Sequence, residues 1–172
     1  MAENFNPEVG FLRRRDYRKA EGRLFRTYRP DDFWGLHELR PHIAYNGYWT
    51  NDGYYESGFV HVDNHWEWRS GHEIHTGVNF THEGVQEAFE IVDGVFVEPG
   101  EYDHEEAQLV FITNQGAPLS LDMTARIGGF FGGDRMNLVP TVRYRFGETF
   151  TSELTWNYND VDLPVPGGDF EV

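Results

Sequence analysis

The chain has 172 residues, 29 acidic against 14 basic, for a net charge of −15, and no cysteine. That balance argues against nucleic acid or an anionic membrane surface as a partner, since both demand a basic face. Disulfides and thiolate metal sites are excluded. No apolar run is long enough for a transmembrane helix. A membrane β-barrel escapes that test, because only alternate residues of its strands meet lipid.

In chain order, residues 1–19 read as a polar arm. Arg13, Arg14, Arg15, Arg18, Lys19, Arg23, Arg26 and Arg29 all fall in the first thirty positions, a cluster that suits phosphate or plain solvation. A short strand is expected near Glu21–Arg29. Period-two alternation then begins. Leu39, Pro41, Ile43, Tyr45 and Trp49 oppose Arg40, His42, Asn46 and Thr50. Val60, Val62, Trp66 and Trp68 oppose His61, Asp63, His65, Glu67 and Arg69. Ile74, Val78 and Phe80 oppose His75 and Asn79, and Ala107, Leu109 and Phe111 continue more weakly.

From Leu119 the alternation is nearly free of errors. Leu121, Met123, Ala125 and Ile127 oppose Ser120, Asp122, Thr124 and Arg126. Met136, Leu138, Pro140, Val142, Tyr144 and Phe146 form the next apolar set; Phe150, Leu154, Trp156 and Tyr158 form the last. Glycine, asparagine and aspartate punctuate the runs at Asn51-Asp52-Gly53, Ser70-Gly71, Gly132-Gly133-Asp134 and Gly147-Glu148, as hairpin turns require. The stretch from Glu83 to His104 reads as a long loop or one carrying a short strand. The tail, 161–172, is rich in Pro and Gly and ends in Asp169-Phe170-Glu171-Val172, which reads as a strand cut short.

These patterns predict an all-β fold: an antiparallel up-and-down β-barrel or barrel-like sheet of about eight long strands over 20–160. Runs of roughly ten residues exceed the usual five or six. Aromatics near strand ends (Tyr48, Trp49, Tyr54, Tyr55, Trp66, Trp68, Phe130, Phe131, Phe146, Phe150) suit interfacial girdles. Leu121, Met123, Ile127, Leu138, Val142, Leu154 and Trp156 are expected to share one apolar surface, outward in a lipid barrel or inward in a soluble fold. Leu154→Asp is expected to destabilise in either setting.

The histidines are the strongest sign of chemistry. His61, Asp63 and His65 share a strand face, and His72 and His75 follow the next turn. Together they form the candidate ligand-binding set. Pairing of the two strands would bring His65 near His72 or His75, a nitrogen and oxygen set suited to zinc or another divalent metal. The same residues could act as base and orienter in a small hydrolytic site. Acidic stretches at Asn51-Asp52-Gly53 and Glu98–Glu106 offer oxygen ligands for calcium, without the ordered ladder of an EF-hand. No G-x-S-x-G, P-loop or dinucleotide-binding glycine pattern occurs, so catalytic residues are unassigned.

Several segments carry a resemblance: Phe5-Asn6-Pro7-Glu8-Val9-Gly10-Phe11 with Arg13-Arg14-Arg15-Asp16-Tyr17, Val97–Asp103, Gly128–Gly133, and Val161-Asp162-Leu163-Pro164 with Gly167-Gly168-Asp169-Phe170. In this order they resemble the C-terminal region of DUF5916 proteins, which are large bacterial envelope proteins. The resemblance implies a secreted, carbohydrate-binding-like module followed by an outer-membrane barrel, of which this chain would be the later part. It brings no catalytic residues.

The expected function is therefore a bacterial outer-membrane β-barrel segment with a structural, transport- or surface-associated role, in contact with lipid. Its strand edges are expected to self-associate. The alternative is a soluble β-barrel that binds a small molecule or carbohydrate, or acts as a metal-dependent or hydrolytic enzyme on its His-rich face. Met1-Ala2-Glu3-Asn4 does not open a signal peptide, which leaves the soluble alternative in place.

Overall fold

A computed structural model describes residues 16–172; the matches and the basic cluster before Asp16 lie outside the described residues. Twelve strands form: β1 (Tyr17–Phe25), β2 (Leu36–Thr50), β3 (Tyr55–Trp68), β4 (Glu73–Val85), β5 (Phe89–Val92), β6 (Val95–Val97), β7 (Gly100–Ile112), β8 (Leu119–Phe130), β9 (Gly133–Phe146), β10 (Phe150–Thr155), β11 (Tyr158–Asp162) and β12 (Asp169–Glu171). Ten of them make one antiparallel sheet in the order β1-β2-β3-β4-β7-β8-β9-β11-β12, with β10 also on β9. The up-and-down, all-β expectation holds. Among the described residues the sheet does not close on itself: β1 pairs only β2 and β12 only β11, so it is barrel-like rather than a complete barrel.

β1 begins at Tyr17, earlier than the expected Glu21. The run expected across Phe150–Tyr158 is split into β10 and β11, and a proline explains the split. The Trp156 amide donates to the Pro140 carbonyl at 3.0 Å. In an antiparallel strand a residue's N and O point the same way, so the ring nitrogen of Pro140 faces β10 and β11 with no hydrogen to offer. Pro41 does the same to β1. Its carbonyl accepts from the Arg26 amide at 3.0 Å, and the β1–β2 ladder ends one residue away, at Phe25–His42. Replacing Pro140 by Thr restores a donor, so hydrogen exchange at the residue-140 amide should be slow and that at Trp156 slower than in the parent; unprotected amides at both positions would reject this account of the break.

Register places the two sides of the alternation on opposite faces. Leu24, Ile43, Val62, Val78, Ala107, Ile127 and Met136 are successive partners across seven strands. A second row runs Leu39, Trp66, Ile74, Phe111, Met123 and Pro140, and a third Leu121, Val142 and Leu154. The predicted apolar surface is thus continuous, but it is not a core. Leu154 is 73% exposed, Trp156 64% and Ile127 61%, whereas Asn79 is 2%, Ser120 4% and Asp63 5%. The greasy face is the outside. Glu38, His42, Asp63, Asn79, Glu106, Ser120 and Asn137 are buried on the other face, largely against one another.

Among the described residues one small apolar core forms, at one end. The connection between β4 and β7 forms the β5–β6 hairpin. Its Val95 packs with Val161 and Leu163 of the β11 end, flanked by Phe130, Phe131 and Phe170. This contact ties the hairpin that links β4 and β7 to the β11 end of the sheet.

Candidate metal centre

Strand register decides which histidines meet. His42 on β2 is the direct partner of Asp63 on β3, while His61 and His65 flank Asp63 two residues away on the same face. Across the next ladder His65 opposes His75, and His61 opposes Asn79. Four imidazoles thus surround one carboxylate. His61 Nε2 lies 3.3 Å and His65 Nε2 3.7 Å from Asp63 Oδ2. The rings of His42 are 5.1 Å from those of both His61 and His65, and His65 stacks on His75 at 3.6 Å. Two groupings could hold a metal: His42, His61 and Asp63, or Asp63, His65 and His75.

The surroundings fix these side chains. Asp63 fits because its β4 partner is Gly77; a Cβ there would stand 3.1 Å from the Asp63 carboxyl carbon. His61 Nδ1 donates to Asn79 Oδ1 at 2.6 Å, and His42 Nδ1 to the Arg40 carbonyl at 3.3 Å. His75 Nε2 donates to Glu73 Oε2 at 3.1 Å. Beyond them Arg40 reaches Glu38, Glu67 and Glu73, and Arg29 reaches Glu38. Among the described residues Glu38, Glu67 and Glu73 meet two guanidiniums and Asp63 none, a local surplus of negative charge. Asp63 Oδ1 and His65 Nδ1 are buried without a hydrogen-bond partner.

Of the sequence-expected set, His61, Asp63, His65 and His75 are brought together. His72 is not: it sits in the exposed β3–β4 turn, its Nδ1 3.0 Å from Ser70 Oγ. His42 takes part instead. Its place on the polar side of the β2 alternation was visible in the sequence, but the pairing that sets it opposite Asp63 was not.

The acidic stretches do not converge. Asp52 is held within its own turn by the Thr50 hydroxyl, which keeps its carboxyl below the usual range together with the Tyr54 amide. Around β7, Asp103 pairs with His82 and Glu106 with Arg135 at 2.7 Å, on opposite faces because strand side chains alternate. A groove of about 790 Å³ lies at the aromatic end beside Tyr55, His82, Asp103 and Phe130, where no three metal-ligating groups meet among the described residues.

No family model, curated protein or solved structure matches the chain. Its function must be argued from its own faces and side chains.

Proposed function

We propose that this chain forms part of the wall of a bacterial outer-membrane β-barrel, its apolar face against lipid and its polar face towards a lumen, with a structural, transport- or surface-associated role. The inverted polarity of the sheet carries the reading. The apolar rows cross about 30 Å of sheet and run about 20 Å along the strands, some 600 Å², at the upper limit for soluble monomers. Seven polar or charged side chains, in contrast, are buried on the other face of the sheet. Lipid outside and water inside make both arrangements favourable.

Dimensions agree. A tilted spanning strand needs about 9–11 residues, and β2, β3, β4, β7, β8 and β9 have 12–15. The expected girdle aromatics fall at two levels: Tyr48, Trp49, Tyr54, Tyr55, Phe130 and Phe131 at one end of the sheet, Trp66, Trp68, Phe146 and Phe150 at the other. From Tyr55 to Trp66 on β3, a 45° tilt gives a height of roughly 26 Å, against about 25 Å for a barrel's apolar band. The DUF5916 resemblance points to the same setting. A soluble protein would need some other cover for the apolar rows.

Three partners belong to this reading. The open edges at β1 and β12 leave backbone groups to be met by another copy or by further strands, so sedimentation in detergent should show self-association; a strictly monomeric species would reject edge pairing. The polar face is proposed to take a divalent cation, zinc or calcium. A small molecule or carbohydrate finds its best seat in the groove beside Tyr55, where Trp49, Tyr55 and His82 stack at 4.9 and 4.5 Å.

The deciding experiment is reconstitution into vesicles with brominated lipid. The apolar-face residues Trp66 and Trp156 should be quenched, and the protein should float with the vesicles. A monodisperse species in plain buffer that neither floats nor quenches would overturn the membrane reading.

A further inference from the structure

We propose that the polar face of β2 and β3 holds one zinc-class divalent ion on His42, His61 and Asp63, with a fourth position open beside His65. This deepens the divalent-cation reading and rests on it, but not on membrane placement.

The choice between the two groupings follows from ring geometry. Imidazole lone pairs lie in the ring plane, so two ligands of one ion must have planes that intersect at it. His65 and His75 are stacked 7° from parallel at 3.6 Å, which sends their lone pairs side by side rather than together. His42 and His61 are inclined at 54° with centroids 5.1 Å apart. Two imidazoles on one tetrahedral zinc, with Zn–N near 2.0–2.1 Å, place their centroids about 5 Å apart.

Orientation agrees with the choice. A metal-bound histidine commonly donates its other N–H to an oxygen, which fixes the tautomer. Both His42 and His61 do so through Nδ1, to the Arg40 carbonyl and to Asn79 Oδ1, leaving Nε2 free as a ligand. At His61 that nitrogen faces Asp63. His75 spends Nε2 on Glu73.

The carboxylate supplies an independent sign. The Asp63 side chain is 1% exposed, and Oδ1 has no hydrogen-bond partner among the described residues. A buried carboxylate with an orphaned oxygen is costly unless a cation meets it. The nearby guanidinium, Arg40, is already taken by Glu38, Glu67 and Glu73. Two nitrogens and one oxygen favour zinc over calcium, which takes oxygen alone.

Metal binding needs neutral imidazoles and an ionised carboxylate, so protons compete with the ion for these ligands.

The test is cobalt titration of chelator-stripped, folded protein, read by visible absorption, with zinc competition. The parent should give an intense tetrahedral spectrum displaced by zinc but not by calcium. His42→Ala and His61→Ala should lose more than the roughly 10–100-fold that removal of an orienting partner costs, and Asn79→Ala about that much. His75→Ala should bind like the parent. His42→Asn and His61→Gln, checked by circular dichroism, serve where the alanine variants fail to fold. Loss of binding in His75→Ala with His42→Ala unaffected overturns the assignment while leaving a cation on this face. Binding indifferent to every one of these variants also overturns it. No cobalt or zinc bound by the parent removes the cation reading as well.

Discussion

Val78→Arg should cost about 2–4 kcal/mol in a bilayer, the penalty for a guanidinium on the lipid face near the midplane. Val78 stands mid-way along the longest apolar row, between Val62 and Ala107, and is 40% exposed with no acidic partner in its row. In water the same side chain would reach solvent, and a surface substitution of this kind usually stays within about 0.5 kcal/mol. The two settings therefore give different answers. Urea unfolding in vesicles, followed by tryptophan fluorescence, measures the first, and unfolding in plain buffer the second. Equal stability of parent and variant in vesicles would mean that this face does not meet lipid. Leu154→Asp behaves alike: a 73% exposed leucine is no core residue, so the expected penalty in a soluble fold disappears. Only in lipid should the aspartate destabilise.

Periodicity made the strands and their two faces legible, because a period of two survives in any antiparallel sheet. It could not say which face is the inside, since lipid and core select the same residues. Burial of Asp63 and Asn79 against exposure of Ile127 and Leu154 decides that. The break between β10 and β11 was hidden because Pro140 sits in phase with the apolar set. What interrupts the ladder is its missing donor, a property of direction across the sheet. The metal centre was half legible. His61, Asp63 and His65 lie on one strand, so their common face follows from spacing. His42 belongs to the neighbouring strand, and its meeting with Asp63 depends on register, including the irregularity between Tyr48 and Trp49. His72 failed for the converse reason: nearness in sequence carried it to a turn, away from the face.

Gly128→Ala should cost roughly 2–6 kcal/mol, combining about 1–3 for overpacking with about 1–3 for a strained backbone. Gly128 lies in register between Glu106 on β7 and Arg135 on β9. Its φ is 153°, and an added Cβ would overlap the Glu105 carbonyl and come within 2.7 Å of the Glu106 Cα. Both neighbours are backbone, so no rotamer change relieves them. The absent side chain also leaves room for Arg135 to reach Glu106 at 2.7 Å across the intervening strand, with its guanidinium 4.1 Å from the Phe130 ring. Glu106 is 7% exposed, and parting it from Arg135 would strand a buried charge. Gly147→Ala is the control. That glycine also has a positive φ, 61°, but nothing stands within 4 Å of its missing Cβ, so about 1 kcal/mol is expected from backbone strain alone. Denaturant unfolding of the two variants against the parent isolates the close approach. Equal losses would show that β7 and β8 do not need the glycine for contact, and that the Arg135–Glu106 pair forms without the space it provides.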